Sequence, residues 1–301
     1  MNEIEARLHA RRLSRRGFLA AMGASAGTAA AATLVAGCGS SPVHTTTPYV
    51  PTTGDTSDQD ILNFALNLEY IEAEFYLRAV TGSGLSSANI GASPGAVTGG
   101  SQVPFKTPAI RAYALEIAND ELLHVEFLRS ALGSVAVDRP AIDLVNSFNA
   151  AAAAAGIGPA FNPFADENSF LVGAFVFEDV GVTAYHGAAG LLTSKTYLGA
   201  AAGIMATEAY HAAEVRTLIA QLGAPYLTYA NQISALRATL GGGAETPVAG
   251  NQIVAADSNS IAYDRTTNQV LHIVYAAGAG VVGSGGFFPN GMNGTINATA
   301  S

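Results

Sequence analysis

Residues 120–124 read Asp120-Glu121-Leu122-Leu123-His124, and residues 207–211 read Thr207-Glu208-Ala209-Tyr210-His211. Each holds Glu-x-x-His within an Ala- and Leu-rich stretch. On a helix, residues i and i+3 share a face with Cβ atoms about 5–6 Å apart. Glu121 with His124, and Glu208 with His211, can therefore each offer a carboxylate and an imidazole to one ion. Two such pairs, joined by one Glu from each of two further helices, form the core site in which a four-helix bundle holds two iron or manganese ions. With thirteen Glu and six His in the chain, chance spacing gives roughly a quarter of one such pair. Two are present, each with an Arg five residues after the His (Arg129, Arg216). The competing reading is two solvated helix faces with fortuitous spacing.

The flanking sequence predicts the helices that would complete the set. Ile61, Leu62, Ala65 and Leu68 recur at helical spacing, and Glu69, Glu72 and Tyr76 continue that side, giving helix one over about 57–80. Acids on an apolar face are costly unless paired or bound to a metal. Thr107-Pro108 reads as an N-cap and first position for helix two, which runs to Leu132 before Gly133. Asp166 reads as the N-cap of helix three, which carries Glu178, Asp179 and Tyr185 to about Leu192. Helix four spans about 196–222, and a fifth follows over about 225–240. The long connection over 134–166, with a short helix over 141–155, lets helices two and three lie parallel. Residues 81–106, rich in Gly, Ser and Pro, read as a surface loop.

Glu69 is followed seven residues later by Tyr76, and Glu178 by Tyr185. Seven residues are about two turns, so each Tyr returns to the face of its Glu. The two halves thus read as a duplicated helical hairpin. Glu69 is preferred over Glu72 because only Glu69 has such a Tyr; Glu72 stays open as an alternative or outer ligand.

Residues from about 59 to 223 resemble the ferritin-like superfamily. The stretch from Leu62 through Glu69 to Phe75-Tyr76 is similar to its branch of exported and desiccation-related bacterial proteins. The resemblance implies an all-α, ferritin-like four-helix bundle with a long crossover between helices two and three. It implies two metal ions, iron or manganese, held by Glu69, Glu121, His124, Glu178, Glu208 and His211, with Glu121 and Glu208 as bridges. It places Tyr76, Tyr185 and Asp120 in the catalytic surroundings, with Asp120 supporting His211 across the bundle. Thr207 holds the position matching Asp120 and is a weaker acceptor. Each Tyr should bond a carboxylate across the bundle; ordinary core tyrosines are the alternative. His186 reads as peripheral and His272 as a packed core histidine.

The N-terminus has a different character. Ser14-Arg15-Arg16-Gly17-Phe18-Leu19 resembles a twin-arginine export motif, and Val35-Ala36-Gly37-Cys38 a lipobox. Residues 1–37 are then a signal peptide and Cys38 a lipidation site, tethering an exported protein to the membrane. An uncleaved membrane anchor is the competing reading. Residues 38–58, poor in large apolar side chains, read as a flexible tether, with His44 solvated. The bundle then covers 59–241, and residues 242–301 wrap it, with a capping box at Thr266-Thr267-Asn268-Gln269 opening a helix.

Composition narrows the function. Five of the fourteen Lys and Arg but only two of the twenty-three acids lie within 1–37, which leaves the remainder at −12. So acidic a body repels nucleic acid. The single Cys rules out an internal disulfide. The expected partners are metal ions and O2 or peroxide, with the membrane through the lipid anchor and a homo-oligomer as further possibilities. The leading expectation is an envelope protein that oxidises Fe(II) or breaks down peroxide in stress protection. A metal-stabilised desiccation protein without enzymatic activity and a manganese-dependent catalase are the alternatives.

Overall fold

The computed structural model describes residues 56–300 except Asn251 and Ala279. The export motif, Cys38, His44 and nearly all of the tether lie outside the described residues.

Helix α1 (Asp58–Thr81) opens on a capping box: the Ser57 hydroxyl accepts the Asp60 N–H at 3.2 Å, and Asp60 accepts the Ser57 N–H at 3.0 Å. Such a cap is worth about 1 kcal/mol. The helix stops at Gly82, whose φ of 80° suits the left-handed cap. Its residues 61–77 are buried without a break, so the one-sided stripe expected for it is corrected. A helix buried on every face is one wrapped by neighbours; here the chain after α2 and the C-terminal segment cover the side away from the bundle. Asn63 donates to the Val135 carbonyl, and Asn67 exchanges two hydrogen bonds with the Asn293 backbone.

Helix α2 (Pro108–Leu132) begins with Pro in its first turn. Thr107 stands at the N-cap, but its hydroxyl does not cap the helix. It donates instead to Glu167, which also accepts the Lys106 and Thr107 N–H groups at 2.7 and 2.8 Å. Glu167 opens helix α4 (Glu167–Ala189), whose own N-cap is Asp166. The starts of α2 and α4 are therefore pinned together. At the opposite end, Asp58 accepts the Thr193 and Ser194 N–H groups, tying the start of α1 to that of helix α5 (Lys195–Leu222). So α1 runs with α5 and α2 with α4, each pair antiparallel to the other.

The crossover from α2 to α4 contains a short helix α3 (Asn146–Ala154) and strand β2 (Ile142–Asp143), which pairs in parallel with β1 (Val97–Thr98). This two-residue pairing pins the first loop to the crossover and was not expected. Helix α4 ends at Ala189, three residues before Leu192. Helix α6 (Tyr226–Gly241) and α7 (Thr267–Val274) follow, the latter with both halves of its capping box in place. Phe287, Phe288 and Met292 of the C-terminal segment are buried in the common core. Among the described residues no helix is long and apolar enough to cross a membrane.

Candidate metal centre

The i, i+3 geometry of α2 and α5 turns both Glu-x-x-His pairs inward, and α1 and α4 bring Glu69 and Glu178 opposite them. Glu69, Glu121 and Glu208 are fully buried; Glu178, His211 and His124 are 1%, 5% and 8% exposed. Ligand atoms of Glu69, Glu121, His124 and Glu208 all lie within 4.8 Å of one another, as do those of Glu121, Glu178 and His211. Glu121 belongs to both groups and is placed to bridge them. Glu208 joins only the first, so the geometry does not repeat the symmetric bridging expected of it.

Both imidazoles face the centre with Nδ1. His124 Nδ1 lies 3.2 Å from Glu69 Oε2, 3.3 Å from Glu208 Oε1 and 3.5 Å from Glu121 Oε2. A single ring nitrogen carries at most one proton and cannot satisfy three carboxylates. His211 Nδ1 lies 3.1 Å from Glu121 Oε1 and 3.6 Å from Glu178 Oε2. Both oxygens of Glu121 and of Glu208, Glu178 Oε2 and His211 Nδ1 are buried without a hydrogen bond of acceptable geometry. Orphaned buried polar atoms cost about 1–3 kcal/mol each. A cation is the one partner that all of these lone pairs can share.

The outer supports cross the bundle. Tyr76 donates a short hydrogen bond to Glu178 Oε1, and Tyr185 one to Glu69 Oε1. Each Tyr thus holds the carboxylate of the opposite half, leaving the other oxygen to face the centre. His211 Nε2 lies 3.4 Å from Asp120 Oδ2, which favours the tautomer with Nδ1 free for a metal. Thr207 offers His124 no such support; its hydroxyl donates to the Gly203 carbonyl. His186 Nδ1 lies 3.2 Å from the Tyr263 carbonyl and stays peripheral. His272 is half-buried against the Ala277 carbonyl, less enclosed than a core histidine.

Counting only the protein's own charges, the centre is strongly perturbed. Burial pushes the Glu69 carboxyl up to about 8 despite the neighbouring His124. Burial and the other carboxylates raise Glu72, Glu178 and Glu208 as well. Burial also acts to raise Glu121, but the two imidazoles outweigh it and hold this group below the usual carboxylate range. Burial disfavours charge on His211, yet Glu178, Asp120 and Glu121 push it up to about 12. Positive charge is what this cluster demands, and bound protons supply it wherever a metal does not.

Residues beyond the sequence reading also position the site. Arg129 donates to the Tyr70 hydroxyl, and Arg216 to Asp179 at 2.9 Å. Tyr70 and Asp179 each follow the lone Glu of their half, so the paired Arg spacing was the signal for both links. Arg237 reaches Asp179 and Glu245, and Glu245 also holds Arg265. Glu74, equally buried, is taken up by Arg78 and Arg139 and faces no metal. Gly181 lets α4 approach: a Cβ there would fall 2.7 Å from Glu208 Oε2 and 3.3 Å from Glu72 Oε1.

Known proteins agree with this architecture. A family model described as a ferritin-like domain matches residues 57–221. The chain is 32% identical over 252 residues to the desiccation-related protein PCC13-62 of Craterostigma plantagineum, covering 73% of this chain and 78% of that protein. It is 30% identical over 269 residues to the ferritin-like catalase Nec2 of Nesocodon mauritianus, covering 80% of this chain and 85% of that one. With the match spanning the four helices that carry the carboxylate and imidazole groups, the chain belongs to the ferritin-like domain family.

Proposed function

We propose that this protein is a dinuclear iron or manganese oxidoreductase that consumes hydrogen peroxide or O2, serving stress protection at the cell envelope. The observation that carries the reading is the single His124 nitrogen set among three buried carboxylates, with four further donor atoms (Glu121 Oε1, Glu208 Oε2, Glu178 Oε2 and His211 Nδ1) left unpartnered. Glu69, Glu121, His124 and Glu208 would hold one ion, and Glu121, Glu178 and His211 the other. Carboxylate-rich sites with two His suit iron or manganese. Two such ions, when bound, would supply the electrons exchanged with peroxide or O2.

The chain's own groups set the conditions for that exchange. Tyr76 and Tyr185 fix one oxygen of Glu178 and of Glu69, so these carboxylates stay oriented as the charge at the centre changes. Asp120 holds the outer nitrogen of His211. The bundle core excludes bulk water from all six ligands. The name of the Nesocodon relative favours peroxide breakdown, in which one peroxide is reduced to two waters and a second is oxidised to O2. That reaction balances without an outside reductant, and the sequence carries no motif for one. An export signal at residues 1–37 would deliver the loaded protein to the envelope. To test the reading, protein loaded anaerobically with Mn(II) or Fe(II) is given peroxide while O2 and peroxide are followed. Turnover that Glu121→Ala abolishes is expected; no metal uptake and no turnover would end the proposal.

The name of the Craterostigma relative favours a second reading, in which the metal only stabilises a desiccation protein. Melting with and without metal separates the two: a large rise in Tm with no turnover favours the second.

A further inference from the structure

Glu72 is the one carboxylate at the centre that belongs to neither ligand group. It lies one turn beyond Glu69, is 4% exposed, and has no hydrogen-bond or ion-pair partner among the described residues. Its position corresponds in the second half to Gly181, three residues after Glu178. The missing side chain there leaves room for the Glu72 carboxylate beside Glu208. Glu72 is also the only ionisable residue lining a small cavity of about 20 Å³ on the α1/α4 side of the centre. That space holds about one molecule the size of water.

This cavity shares a wall with a second one. Val176, Ile273 and Phe287 line it and also line a second, outer cavity of about 80 Å³ between α3, α6 and the C-terminal segment. The outer cavity reaches the surface at Ala154 and Ala276, both exposed. Its walls are almost wholly apolar. Moving an ion through such walls is costly, whereas a small uncharged molecule pays far less: O2 least, and hydrogen peroxide only the desolvation of its hydroxyls. The histidine side of the centre is different: Asp120, on the α2/α5 face, is about one-quarter exposed.

We propose that the apolar passage from Ala154 and Ala276, past Val176, Ile273 and Phe287, is the entry route for a small uncharged oxidant, and that the Glu72 carboxyl receives it at the inner end. The inference rests on the proposed oxidoreductase reading and adds to it the path by which O2 or hydrogen peroxide enters and a bulky hydroperoxide is kept out. Glu72 meets the incoming molecule by hydrogen bonding and holds no metal. The C-terminal segment contributes Ile273 and Phe287, so it forms part of the route as well as covering the bundle.

Four measurements test this. Crystals of the protein pressurised with xenon should show a site between Val176, Ile273 and Phe287, and Val176→Phe should lose it. In metal-loaded protein, Val176→Phe should lower kcat/KM for hydrogen peroxide about tenfold while kcat and metal content stay near wild type, the signature of impaired access. The opening variant Ile273→Ala should instead raise the rate with tert-butyl hydroperoxide. Glu72→Gln, which keeps a hydrogen-bonding group, should bind metal normally and lose less activity than Glu72→Leu. An active wild type whose kcat/KM is unchanged by Val176→Phe, with xenon displaced, overturns the route alone. A fully metallated wild type inert toward O2 and peroxide overturns the functional reading and the route with it. Equal loss of metal in Glu72→Gln and Glu121→Ala makes Glu72 a ligand and overturns its assigned role.

Discussion

The α1/α2 hairpin and the α4/α5 hairpin present the same ligand types from matching helical positions, yet their surroundings differ. Behind Glu69 stands Tyr70, a neutral group bonded to Arg129; behind Glu178 stands Asp179, bonded to Arg216 and Arg237. Before Glu121 stands Asp120, which reaches His211; before Glu208 stands Thr207, which does not reach His124. Three residues after Glu69 stands Glu72; three after Glu178 stands Gly181. A pair of cations asks for a near-twofold set of donors. Access and proton handling do not, and it is there that the halves diverge. Both halves are tied to the C-terminal segment, the first by Asn67 on the Asn293 backbone and the second by Arg216, which donates to the Thr246 and Ile253 carbonyls.

Substitution of the shared ligand should break the comparison most severely. Glu121→Ala is expected to abolish binding of both ions, whereas Glu178→Ala should lose only the ion beside His211. Elemental analysis after dialysis distinguishes total loss from half loss. Next in size is stability. Arg216 is 1% exposed and neutralises a buried acid, so Arg216→Met should cost about 3–5 kcal/mol in urea unfolding. Arg129→Met, which removes bonds to the neutral Tyr70 hydroxyl and Val137 carbonyl, should cost about 1 kcal/mol.

The contrast between Asp120 and Thr207 predicts a smaller effect. Asp120→Ala should weaken metal binding about 10–100-fold, as loss of a histidine's outer partner does, while Thr207→Ala should leave affinity near wild type. Competition with a coloured chelator measures both. Proton binding at the same centre gives a pH dependence. The Glu69 carboxyl titrates at about 8 in the folded chain against an ordinary 4.5. A raised folded value contributes stability that is complete below about 4.5 and is lost as pH rises through about 8. His211, pushed up from 6.5 to about 12, adds to the fall, its contribution complete below about 6.5 and lost as pH rises through about 12. Chelator-treated protein should therefore show a falling Tm between pH 5 and 8. Metal-loaded protein should not, because the cation replaces the protons.

What was legible in the sequence follows from which interactions are local. Spacings of three and seven residues fix which side chains share a helical face, so the convergence of the two Glu-x-x-His pairs with Glu69 and Glu178 was readable, as was the crossed role of Tyr76 and Tyr185. The caps at Asp166 and Thr266 were readable for the same reason, whereas Ser57 read as the first helical residue and is instead the N-cap. The Asp179–Arg216–Arg237–Glu245–Arg265 network was not, because its members come from α4, α5, α6 and the C-terminal segment and no period links them. Thr107 looked like a capping residue, but Glu167, sixty positions away, took its hydroxyl. Gly181 resembled any helical glycine until the approach of Glu72 and Glu208 showed what its missing side chain allows.

Six side chains from four helices are proposed to hold two cations. The most direct test is elemental analysis of protein isolated from its native compartment without chelators. Iron or manganese at about two ions per chain is expected, and none in Glu121→Ala. A wild-type protein that carries no transition metal, and takes up none when Fe(II) or Mn(II) is supplied without O2, would contradict it.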